Sequence, residues 1–123
     1  MTEHREDRED REDREDRDGT VTEFGKLVNL TPKQLQDWLE REESKAAGQH
    51  RGGGESTGHA SGRRIVELLR TSESDLGDDD VAHMRKVNGY IKRHLAQRPS
   101  GDVTDTTWRH SLMNWGHDPL KDR

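Results

Sequence analysis

The chain contains no cysteine, so disulfides, thiolate metal sites and a cysteine nucleophile are excluded. It has no apolar run near the roughly 18 residues needed to span a bilayer. Its start, MTEHREDRED, has no apolar signal-peptide core, so a cytoplasmic protein with no membrane contact is expected. Apolar residues make up only 25% of the chain and charged residues 38%, a balance that taken alone indicates disorder.

That imbalance is concentrated at one end. Residues 1–19 carry five arginines and ten acids, with Met1 as the only apolar side chain. The whole chain has a net charge of −5, and this segment accounts for all of it, so residues 20–123 are formally neutral. From Arg5 to Asp16 the triplet Arg-Glu-Asp occurs four times. On a helix, favourable i,i+4 pairs such as Asp7 with Arg11 compete with like-charge pairs such as Glu6 with Asp10. Every third residue is aspartate, a poor helix former. The segment is therefore expected to be a disordered or marginally helical tail. It is either without a specific role or an acidic arm that competes with an anionic ligand for a basic face of the domain.

The remainder, 20–123, fits a single domain. Order is expected to begin near Val21, where Val21, Phe24, Leu27 and Val28 recur at helical spacing. Thr31, Pro32 and Gln34 spell an N-cap, a first-turn proline and a capping box. They open a second helix whose stripe is Leu35, Trp38 and Leu39 and which should fray near Ser44. The glycine-rich stretch 46–58 is expected to be a flexible loop. A third helix is signalled by SGRRIVELLR, with Arg63 and Arg64 in its first turn, where cations oppose the helix dipole. The fourth, from about Asp79 to Gln97, aligns Met84, Val87, Ile91 and Leu95. In a fifth, capped by Thr104 and stopped by Gly116, Trp108, Leu112 and Trp115 share one face and should pack against the fourth. The expected fold is all-α, a small orthogonal bundle of four or five helices.

Chemical motifs are few. Placed on a phosphate-binding loop, GESTGHAS puts His59 at the lysine position and Ala60 at the hydroxyl position, and no strand precedes it. What survives is a single-phosphate site at a helix start near Arg63 and Arg64. None of the seven histidines falls in a motif with defined ligand geometry, so each is read as hydrogen-bonded or facing solvent, with no metal or other cofactor. No serine sits in a nucleophile-elbow context. An enzyme would have to rest on Glu55 and His59, and a non-catalytic protein is expected instead. The tryptophans are read as core.

One feature points to a ligand. Arg85, Lys86, Lys92 and Arg93 lie opposite the apolar stripe of the fourth helix, and no acid occurs between His83 and Arg98. Cations at two levels of one helix can meet successive phosphates and release counterions, and Arg63 and Arg64 extend the set if the fold gathers them. The expected partner is DNA or another polyanion, held without strong sequence readout. The alternative is a protein-interaction or stress-accessory module with no nucleic-acid binding. The turn of a helix-turn-helix reader is absent.

The strings LTPKQLQDWL, ESTGHASGRRIVELL and DDDVAHMRKVNGYIKRHLAQRPSGDVTDTTWRHSLMNWGHDP resemble a bacterial and fungal family, domain of unknown function 3140. The resemblance runs from about Phe24 to Lys121 and leaves out the Arg-Glu-Asp segment. It implies no established activity, cofactor or catalytic residue, and some members carry a DNA-binding label. Asn88 and His110 depart from its pattern, which implies an apolar residue and a tyrosine there.

Overall fold

The computed structural model describes residues 2–47 and 56–121, with side chains from residue 15 onward. Among the described residues every regular element is helical: α1 (Thr2–Leu27), α2 (Pro32–Leu39), α3 (Glu42–Ala47), α4 (Thr57–Leu69), α5 (Asp78–Leu95) and α6 (Thr107–Asn114), with a 3-10 turn at Glu73–Asp75. The all-α bundle is as expected, with one helix more than the four or five anticipated. No helix is long and apolar enough to cross a membrane among the described residues.

The capping box opens α2 as the sequence indicates. Thr31 Oγ1 accepts from the Gln34 amide at 3.1 Å, and Gln34 Oε1 accepts from the Thr31 amide at 3.0 Å. The helix does not fray at Ser44. It closes at Glu40, and α3 follows as a separate helix held by a buried polar knot. Asn114 Oδ1 accepts from Trp38 Nε1 at 2.8 Å and from Ser44 Oγ at 2.5 Å, while Asn114 Nδ2 donates to the Ser44 carbonyl at 3.0 Å. Both Ser44 and Asn114 are fully enclosed, so losing any member would leave buried polar groups unpaired.

The boundaries around the glycine-rich stretch also move. Residues 48–55 lie outside the described residues, but Ala46 and Ala47 belong to α3, and Thr57 and Gly58 to α4. Ser56, not a residue near Ser61, caps α4 by accepting from the His59 amide at 3.1 Å. Arg63 and Arg64 therefore sit beyond the first turn, and the conflict with the helix dipole disappears. Gly62 is required there, because a Cβ would stand 2.6 Å from the Asn114 carbonyl oxygen. At the other end Thr106, not Thr104, caps α6; Thr104 is tied instead to Asp102.

α1 packs along α5, α2 against α4, and α6 lies among α2, α3, α4 and α5. The centre is apolar: Leu35, Ile65, Val87, Ile91 and Leu112 are completely buried. Each such side chain contributes about 1.5–3 kcal/mol through removal from water. Order in α1 reaches further back than Val21. Arg17 donates to the Leu76 carbonyl and to Asp78 Oδ1 (3.2 Å), and the Thr20 carbonyl accepts from buried Asn88 at 3.1 Å.

The chain end closes the bundle. Gly116 adopts φ +86° as expected of a helix stop, and a Cβ there would lie 2.8 Å from Val28. Its carbonyl accepts from both Asn29 and Leu30 at 3.1 Å. His117 Nδ1–H donates to the Leu27 carbonyl at 2.6 Å, and Asp118 forms a two-pronged pair with Arg109, both contacts at 3.0 Å. The string NWGHDP is thus a structural clasp between α6 and the α1–α2 turn.

Candidate functional site

α5 presents different surroundings on its two flanks, and its four candidate cations divide between them. Arg85 pairs with Asp16 at 3.6 Å and Lys92 with Glu23 at 2.9 Å, both acids coming from α1. These residues are spaced seven apart on each helix, so the pairs recur every two turns along the α1–α5 seam. Lys86 and Arg93, also seven apart, point to the other flank and have no acidic partner among the described residues. Arg64 reaches Asp80 at 3.2 Å, and Arg63 is exposed on α4 with an interaction of its own. The cations named from sequence therefore divide by partner: Arg64, Arg85 and Lys92 pair with acids, and among the described residues Lys86 and Arg93 do not.

Lys86 and Arg93 stand at a half-open cleft of about 580 Å³ between α3, α4, α5 and α6. Its floor is a ladder of rings. Trp108, His94, Tyr90, Trp115 and His83 follow one another with centroid separations of 6.1, 5.2, 4.1 and 6.5 Å and interplanar angles of 15° or less. Arg98 covers the outer face of Trp108 at 5.5 Å. α5 supplies rings at 83, 90 and 94 and α6 at 108 and 115, so the two helices interleave like teeth. Stacked pairs of this kind add about 0.5–1.5 kcal/mol each beyond their buried area. Trp108 and Trp115 are core residues as expected, and the ladder is how α6 meets α5. Reciprocal bonds fix its end: Trp108 Nε1 donates to the His94 carbonyl at 2.7 Å, and His94 Nε2 lies 3.2 Å from the Trp108 carbonyl.

The ladder sets the ionisation of the cleft. Burial, then the nearby charges of Arg64 and Lys86, hold His83 below its ordinary value. Burial also lowers His94, against the opposing bond to Trp108. Tyr90 is pushed up by burial, partly offset by Ser111 and Arg93. At neutral pH the rings are uncharged and the positive charge belongs to Lys86 and Arg93. On acidification His83 and His94 add to it only below the ordinary histidine value.

The five histidines whose side chains are described each make a hydrogen bond or a ring contact. His59 Nε2–H donates to the Leu39 carbonyl at 2.7 Å, His83 bonds Ser61 at 3.0 Å, and His110 lies against Trp38 with centroids 5.3 Å apart. Glu55, the other half of the Glu55–His59 pair, lies outside the described residues. Asn88, where the family pattern implies an apolar residue, is buried with its Oδ1 unpartnered.

The model of the family described as "Protein of unknown function (DUF3140)" matches residues 23–113. The chain belongs to this family. No curated protein and no solved structure matches it. The family span contains both flanks of α5, the Glu23 that holds Lys92, and Trp108, and it ends before Trp115 and the clasp.

The sequence reading singled out the cations and missed Tyr90 and His94. Their signal was present: rings seven apart on α5 (83 and 90) match rings seven apart on α6 (108 and 115).

Proposed function

We propose that the protein is a small non-catalytic binding module for the nucleic-acid backbone, with Lys86 and Arg93 as its standing phosphate contacts. Arg85 and Lys92 form a second pair of contacts that α1 holds in reserve. The observation that carries this reading is the unequal treatment of four exposed cations on one helix: two paired with acids of α1, two unpaired. Exposed ion pairs of this kind are worth about 0–1 kcal/mol each. A phosphate can therefore replace Asp16 or Glu23 at small cost, and the acidic arm acts as a weak competitor, not a lock. No base-reading element accompanies the cations, so affinity is expected to follow backbone charge and not sequence.

The protein-interaction alternative has less to stand on. Leu120 is the large apolar side chain left exposed among the described residues, which leaves no apolar docking face.

Salt dependence of duplex binding is the test. Each neutralised phosphate contributes about −0.9 to the slope of log Kobs against log salt, so two contacts give about −1.8 and four about −3.6. Point substitution of Asp16 and Glu23 is preferable to removing residues 1–19, because Arg17 in that segment anchors the same helix to Leu76 and Asp78. Absence of duplex affinity at low salt would end the proposal.

A further inference from the structure

We infer that the ladder-floored cleft is a binding site for a small organic anion with a flat apolar body, which uses the same two cations, Lys86 and Arg93, as the proposed backbone contacts. Its volume, about 580 Å³, is in the range of sites that enclose a drug-sized molecule. The lining is chemically one-sided. Tyr90, Trp108 and Trp115 present apolar ring surface, Lys86 and Arg93 are the charged members, and among the described residues no carboxylate lines it. An uncharged guest would leave both cations idle, and a cationic one would meet repulsion without compensation.

A second observation points inward. Trp115 is 4% exposed and lines the cleft, yet its indole N–H donates to no group among the described residues. That nitrogen sits beside Gly58, where a Cβ would come within 3.2 Å of it, so the glycine keeps the wall open at the donor. An anionic oxygen in the cleft would give this donor an acceptor. The first turns of α4 and α6, at Thr57 and Thr107, also border the space. The ring faces are occupied by one another, so the guest meets ring edges and lies across the ladder, not between its members.

The experiment titrates the full chain, without nucleic acid, with 8-anilinonaphthalene-1-sulfonate and with its uncharged counterpart N-phenyl-1-naphthylamine. The expected result is saturable binding of one equivalent of the sulfonate, quenching of tryptophan emission, and at least tenfold weaker binding of the neutral compound. Lys86→Gln with Arg93→Gln should weaken the sulfonate about tenfold or more. Arg85→Gln with Lys92→Gln removes the same charge from the opposite flank and should leave it within twofold. Equal binding of the two compounds, equal effects of the two double variants, or no saturable binding would each overturn the inference. Because no duplex is present, these outcomes are independent of the backbone-binding proposal.

Discussion

The two flanks of α5 start from the same material, a pair of cations seven residues apart, and end in opposite states. On the α1 flank Arg85 and Lys92 face acids of a neighbouring helix, and the surface is electrically closed. On the α6 flank Lys86 and Arg93 stand over neutral rings, and the surface is electrically open. The difference comes from the partner helix, not from α5. α1 carries an acid wherever it crosses a cation, whereas α6 brings tryptophans. A cationic helix face is therefore not a ligand site until its neighbours are known.

The largest expected effect breaks the open flank. Trp115→Ala removes the middle of the ladder, and a buried tryptophan truncated to alanine costs about 3–5 kcal/mol. A denaturant midpoint shifted by that much, with loss of cleft binding, is expected; a shift under 1 kcal/mol would mean that the rings are not packed as described. Next, Lys86→Gln with Arg93→Gln should reduce duplex affinity far more than Arg85→Gln with Lys92→Gln, as read by fluorescence anisotropy at low salt. Equal losses would erase the distinction between flanks.

Much of this architecture was legible in the sequence. The Thr31–Gln34 capping box, the tryptophan stripe and the Gly116 stop are local signals, and local chemistry decides them. Ser44 was not legible, because its role comes from Asn114, seventy residues away. The α4 start was obscured by Gly58, which reads as loop until its close contacts with Trp115 and Asn114 are seen. The cations stand out in the sequence as residues but not as two sets, since pairing with Asp16 and Glu23 depends on how α1 lies. The segment set aside as tail joins the domain in one continuous helix. Near its end, Asp16 and Arg17 reach the rest of the molecule.

Acidification probes the open flank again, with a smaller effect. His83 and His94 bind protons more weakly folded than unfolded, so the stability they carry is complete above pH 6.5. It falls as pH drops through their lowered folded values. Asp118 follows at lower pH: burial raises it, but its bonds with Arg109 outweigh that and hold it below 3.8. Thermal midpoints should decline between pH 6.5 and 5, before the carboxylates titrate, and replacing both histidines by phenylalanine should remove the early decline. A midpoint flat over that range would contradict the assignment. The smallest effect lies on the closed flank. Asn88→Val removes the unpartnered Oδ1, and the Thr20 carbonyl keeps its place in α1, so stability should be unchanged or higher by up to about 1 kcal/mol. A loss of 2 kcal/mol or more would show that the Asn88–Thr20 bond holds α1 in place.

The central claim, that α1 withholds one of two cation pairs, is tested most directly by the salt slope of duplex binding in the wild type and in Asp16→Asn with Glu23→Gln. The prediction is a slope between about −1.8 and about −3.6 for the wild type and a steeper one, nearer −3.6, for the variant, with higher affinity at low salt. Identical slopes and affinities would contradict it.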